Sequence, residues 1–345
     1  MIRNEHLDLA VAQGILTAEQ AARLRALAEG GAPADADRAA DPVTVNPDDE
    51  RFRLIGGFND IFVTIGIALL VVGLYTLFSA FRFEPGFPVF SIVAAWGLSE
   101  VFARRMRLAL PSIALALMLA LGAGFGGVAL GGLVSPAVAG VVGALAILLG
   151  AVLHERRFGV PVNWAIGAVA LSFALVYGMG PLAPELIERA WSFLFALLGL
   201  AIFVVALRID ATDVDRETRR SDIAFWLHLV AAPMIVHGTI PLLVGAPEGM
   251  NVTQAFAVLG IYAVLGLVAI IIDRRALLVS GLLYAGVALG YLFNENVETS
   301  FGSSLTLLAL AVIVLGISAG WRTIRRTLIP LLPLGALKHS IPPAR

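Results

Sequence analysis

The sequence predicts an all-α, polytopic membrane protein: a bundle of about ten transmembrane helices with the N-terminus and C-terminus both cytoplasmic. Three observations carry that expectation. Only 14% of the 345 residues are charged and 59% are hydrophobic, giving a mean hydropathy of +0.89, whereas about a quarter of residues in soluble domains carry charge. From residue 51 onward the chain is a succession of apolar runs of about twenty residues, the length that crosses the hydrocarbon core as a helix. Finally, the basic residues fall into alternate loops, as orientation in a membrane requires.

Residues 1–29 predict a small cytoplasmic helical hairpin. Leu7 and Val11 form one apolar face, Gly14 is placed to end the first helix, and Thr17 with Gln20 forms a capping box for the second. Ala21, Leu24 and Leu27 then recur at helical spacing. Two such helices bury little surface by themselves, so the hairpin needs a partner, a second copy or the membrane face to dock on. Residues 30–50, GGAPADADRAADPVTVNPDDE, have too few large apolar groups to offset chain entropy and read as a flexible linker.

The ten-span domain covers 51–321, with spans expected at 61–81, 87–103, 108–131, 134–153, 159–178, 190–208, 223–244, 252–272, 276–294 and 302–321. The third and fourth form one long apolar stretch interrupted near Gly131, Ser135 and Pro136. A single helix of that length would overshoot the bilayer, so a tight hairpin is expected there. Residues 322–345 are left as a cytoplasmic tail.

Charge placement tests the division independently. With the N-terminal segment inside, all but Arg82 and Arg189 of the 24 lysines and arginines fall on the inner side. They cluster at Arg104, Arg105 and Arg107, at Arg156 and Arg157, from Arg208 to Arg220, at Arg274 and Arg275, and from Arg322 onward. Merging the third and fourth spans would invert every later loop and destroy the bias. The orientation implies the plasma (inner) membrane, and the first fifty residues lack the features of a cleaved signal peptide.

Several chemistries are excluded or unsupported. There is no cysteine, which removes disulfides, thiolate metal sites and a cysteine nucleophile. GxxxxGK[ST] and HExxH are absent, and GAGFGG at Gly122 lies inside an apolar span instead of after a soluble strand. No catalytic residue, cofactor or metal ligand is therefore assigned, and nothing points to nucleic acid. The outer loops are short and acidic, with Glu185, Glu188, Glu248, Glu295 and Glu298, which leaves no room for a large outer domain.

Small residues four apart (Gly122 with Gly126, Gly127 with Gly131, Gly286 with Gly290, Gly316 with Gly320) allow close helix approach, within one bundle or in a homo-oligomer. Polar groups inside spans are costly in lipid and define the candidate site. They are His228 and His237 in the seventh span, flanking Pro233, Glu100 near the inner end of the second, and Asn163 beside Pro161 at the start of the fifth. At about 100° per residue the two histidines point to opposite faces of their helix, so they do not share one metal ion. Glu100 is four residues from Arg104, a helical ion-pair spacing.

GILTAEQAARL at Gly14–Leu24 and SDIAFWLHLVAAPMIVH at Ser221–His237 resemble stretches of a family of uncharacterised bacterial multi-span membrane proteins, a domain of unknown function with a short N-terminal helical segment. The resemblance implies an integral inner-membrane protein and transfers no catalytic residue.

Three readings of function fit these features. A non-enzymatic scaffold or regulatory partner, whose hairpin recruits a cytoplasmic protein, fits the detached hairpin and the shortage of intramembrane polar groups. A carrier of a small or lipophilic substrate would use five-plus-five inverted halves. An intramembrane lipid-modifying enzyme is the remotest, because Glu100 shares a depth with His154 and Glu155 but lies on a different span.

Overall fold

The computed structural model describes residues 58–181, 183–244, 251–294 and 299–333, with isolated positions outside these ranges. The chain divides after Glu50 into two units. The hairpin over 1–29 and the linker over 30–50 lie outside the described residues apart from His6, Leu7, Val11, Gln13 and Ala21. The second unit, Arg51–Arg345, holds the long apolar helices.

Every regular element among the described residues is helical. In chain order the α-helices of the second unit are α1 (Phe58–Ala80), α2 (Gly86–Ser99), α3 (Ala109–Gly132), α4 (Pro136–Phe158), α5 (Val162–Met179), α6 (Pro184–Asp210), α7 (Arg219–Val244), α8 (Val252–Ile272), α9 (Ala276–Asn294) and α10 (Thr299–Leu328). Among the described residues, nine are long and apolar enough to cross a membrane. The other, α9, spans 19 residues and contains the apolar stretch Tyr284–Phe293.

Local sequence explains the boundaries. The expected break between the third and fourth spans is present: α3 ends at Gly132, and the Ser135 hydroxyl accepts from the Val138 N–H at 3.2 Å, with Pro136 opening α4. Asn251 and Gln254 form a reciprocal capping box on α8. Gly159 ends α4 in the left-handed region at φ 68°, where a glycine bears no side-chain penalty. Several helices exceed their expected spans, α4 running on to Phe158 and α7 starting at Arg219. α6 begins at Pro184, ahead of the expected start at 190, and α10 runs on through Arg322 to Leu328, so part of the expected tail is helix. Hydropathy marks where the membrane ends, and a helix continues as long as its backbone remains bonded.

α2 ends unusually. Glu100–Arg105 form a widened π-helical turn, after which Arg107 adopts a positive φ of 54° and turns the chain into α3. Such turns enlarge the helix and redirect side chains at its end.

Close backbone approach sets the tightest contacts. A Cβ on Gly131 would lie 2.7 Å from the Ala139 Cα, and one on Gly127 2.8 Å from the Gly143 Cα, so α3 and α4 meet through glycine. α6 and α7 pack reciprocally, Gly199 facing the Ile235 backbone and Gly238 facing Ser192 and Ala196. α7 is the most enclosed span and α1 the least. α7 carries Pro233 and Pro241 and remains helical throughout, because neighbouring helices hold its shape.

The helix pairing does not repeat between halves. In the first, α1 packs on α3; in the second, α6 has no comparable contact with α8 and instead lies along α7.

An ion-pair layer as the candidate functional site

The basic loops gather at one end of the bundle, and their ion pairs tie them together. Arg157 at the end of α4 binds Glu100 at the end of α2 at 2.8 Å. Arg219, opening α7, pairs with Glu155 of α4. Arg274, between α8 and α9, pairs with Asp210 at the end of α6. Arg216 of the α6–α7 connection and Arg325 of α10 reach Asp273 at 3.1 and 2.9 Å. Loops that sequence charge assigned to one side are thus in direct contact.

The deepest part centres on the two-residue corner Asp273–Arg274. Asp273 holds the left-handed region at φ 58° as the C-terminal cap of α8, a conformation that aspartate tolerates better than most residues. Its carboxylate accepts from Trp321 Nε1 at 2.7 Å as well as from the two arginines. The same arginines donate to the open carbonyls of α8: Arg325 to Ile270 at 2.9 Å, and Arg216 to Ile272 and Asp273 at 3.1 and 2.7 Å. Cations there also complement the negative end of the helix dipole. Arg275 lies 5.0 Å from the Trp321 ring centroid, within cation–π range.

Arg274 is almost wholly buried, at 1% exposure. Its guanidinium forks onto Asp210, with Nε at 2.9 Å, and donates to the Ser221 carbonyl and hydroxyl at 3.1 and 3.0 Å. Asp210 in turn accepts from His228 Nε2 at 3.0 Å. His228 therefore carries its proton on Nε2, and its buried Nδ1 has no partner among the described residues. Four helices and a connecting loop are fixed by this one corner. A buried charge missing its partner here would be expensive, which makes the arrangement all-or-none.

A second buried group lies beside it. His154, fully enclosed, contacts Ser99 Oγ through Nε2 at 3.0 Å and Asn163 Nδ2 through Nδ1 at 2.9 Å. Asn163 Nδ2 also donates to Val160 O, and Ser99 donates to Ala95 O. The proton of His154 accordingly sits on Nε2, and three helices are joined by neutral hydrogen bonds. Trp96 and Phe158 pack against the imidazole.

The four residues singled out by sequence are therefore held by four different sets of partners. Glu100 pairs with Arg104 at 3.0 Å and with Arg157. Asn163 serves His154 and its own helix start. His228 joins the Asp210 group, and His237 meets the Tyr284 hydroxyl on α9. As expected from their angular spacing, the two histidines of α7 face different neighbours. Glu100, His154 and Glu155 do approach one corner, but Glu155 binds Trp164 Nε1 and Arg219, so each has separate partners. Among the described residues no group of three or more acidic or histidine side chains is placed to hold a metal ion.

Sequence reasoning missed Asp210, Asp273, Arg274 and His154 as interior partners. A signal existed for the first three: Asp210 ends a helix, where a carboxylate is disfavoured unless paired, and Asp–Arg–Arg is an unusual charge density for a turn between two spans. The remaining helices face outward with apolar side chains, as a lipid-embedded bundle does. No protein-family model, no curated protein and no solved structure matches this chain.

Proposed function

We propose that this multi-pass membrane protein is a non-enzymatic scaffold or regulatory partner, oriented with its ion-paired end toward the cytoplasm and its first fifty residues available to recruit a soluble protein. One observation carries the reading. Among the described residues, the candidate polar side chains are engaged by neighbouring helices, largely at the basic end, each with its own partners. Such an arrangement braces a platform. The orientation rests on the basic loops, which cytoplasmic retention favours. The stretches Gly14–Leu24 and Ser221–His237 favour membership of the uncharacterised bacterial family they resemble.

Crosslinking in intact membranes tests the recruiting role, comparing the full chain with one lacking residues 1–50. The reading expects at least one protein captured by the full chain alone, while both chains remain inserted. Identical capture by both chains overturns it.

A carrier remains the second reading, favoured by the buried His228 beside Asp210, whose imidazole Nδ1 has no partner among the described residues. Proton flux in vesicles that is abolished by His228→Ala would support it. The unequal helix pairing of the two halves weighs against an inverted five-plus-five design.

A further inference from the structure

His237 is exposed, while its chain neighbours Val236 and Gly238 are buried. It lies within the apolar segment Arg219–Leu242, about 10 Å of helix rise from the end of α7 at Val244. Gly238 beside it faces α6, and Tyr284 of α9 meets its imidazole edge-on, ring centroids 5.2 Å apart. α6 and α9 both pack on α7 but make no comparable contact with each other. His237 therefore stands in a lateral opening between two spans, at a depth where an exposed polar side chain is costly unless something answers it. We propose that this opening binds a neutral, membrane-dissolved alcohol, a single hydroxyl on a hydrocarbon body, which accepts a hydrogen bond from His237 Nε2 and donates one to the His237 carbonyl.

Three features point to this ligand. The first is the imidazole. Its Nδ1 is paired with the Tyr284 hydroxyl, and Nε2 has no partner among the described residues. With the tyrosine O–H donating to Nδ1, one group, Nε2–H, is left to be matched; the reverse arrangement would leave the tyrosine O–H and the Nε2 lone pair both unmatched. The second is the backbone. Pro241, one turn on along the same exposed face, has no N–H to give to the His237 carbonyl, and no side chain among the described residues donates to it. A donor and an acceptor of one residue thus face the same opening. Matching both takes a group that accepts and donates at once, which a hydroxyl does and a ketone or an ether does not. The third is depth. A charged headgroup or hydrated ion is excluded from the hydrocarbon by its desolvation cost, and Val287, one turn beyond Tyr284, presents an exposed apolar wall, so the hydroxyl arrives on a lipophilic molecule.

Photocrosslinking of the full chain in lipid vesicles tests this, with diazirine-bearing hexadecanol as the probe and unlabelled hexadecanol, its methyl ether or hexadecane as competitors. Labelling should map to α7 and α9, and hexadecanol should compete roughly fivefold better than the ether, the effect of one neutral hydrogen bond. His237→Phe should lower labelling roughly fivefold for the same reason. Pro241→Ala returns an N–H to the His237 carbonyl and should erase the preference for alcohol over ether while the imidazole stays in place. Pro233→Ala, which completes the helix at the Leu229 carbonyl instead, should leave the preference unchanged. Equal labelling of wild type and His237→Phe overturns the proposal. So does equal competition by alcohol, ether and alkane in the wild type, which marks an apolar crevice that any hydrocarbon chain fills. Loss of the preference in Pro233→Ala as well as Pro241→Ala also overturns it, identifying a general change in α7. Should His237→Phe fail to insert, Pro241→Ala decides alone, an unchanged preference counting against the assignment.

Discussion

Replacing Arg274 by methionine removes the fork onto Asp210 and both donors to Ser221, while retaining most of the side-chain volume. Asp210 is left with His228 as its remaining partner in the Arg274 group, at the carboxyl end of α6, where the helix dipole also disfavours a negative charge. Breaking a buried pair in this way costs about 3–5 kcal/mol. Replacing Asp210 by asparagine in the same chain removes the stranded charge and keeps an acceptor for His228, so the double variant should recover about 1–3 kcal/mol. Equilibrium unfolding in mixed micelles, followed by tryptophan fluorescence, measures both quantities. The reasoning is refuted if Arg274→Met lies within about 0.5 kcal/mol of wild type, the range of ordinary surface substitutions. It is also refuted if Asp210→Asn brings no recovery.

Three further outcomes are expected. Gly131→Ala should destabilise by about 1–3 kcal/mol, because its Cβ would meet the Ala139 backbone at 2.7 Å, whereas Gly316→Ala, with open space around it, should be neutral or stabilising by up to about 1 kcal/mol; unfolding of the two variants side by side checks the contrast. Asn163→Leu should cost about 1–3 kcal/mol by orphaning His154 Nδ1, visible as a changed imidazole nitrogen shift in labelled protein. Asp213, in the α6–α7 connection, is pushed up by burial, but hydrogen bonds from the Thr218 hydroxyl and from the backbone N–H groups of Thr218, Glu217 and Ser221 outweigh this and hold its carboxyl below the usual range. A depressed folded value stabilises above the unfolded pKa of about 3.9 and fades as pH falls through the folded value; Asp213→Asn should therefore cost about 1 kcal/mol near neutrality, with a gap that closes in acid.

The helical architecture was legible because lipid imposes it: apolar runs had to be helices of a set length, and basic loops had to alternate. The spacing of Gly127 and Gly131 marked a close helix approach without naming α4 as the partner, Gly316 has the same spacing and faces open space, and Gly199 and Gly238 gave no signal, since each is a single glycine whose role depends on the facing backbone. The site was less legible for a related reason. His228 and Asn163 stand out as polar residues within apolar runs, while Asp210, Asp273 and Arg274 stand at run ends, where a charge is unremarkable. Their burial comes from contacts between residues more than fifty positions apart along the chain, such as Arg274 with Ser221, and no local pattern encodes those.

Because the chain contains no cysteine, single cysteines report topology without background. Met106→Cys and Asp215→Cys mark the ion-paired end, and Glu84→Cys and exposed Val134→Cys the other. A membrane-impermeant maleimide should label the latter pair in cells with a permeabilised outer envelope and the former pair only in inverted membranes. Labelling of a member of each pair from the same side would contradict the ten-helix arrangement with a single basic, cytoplasmic face.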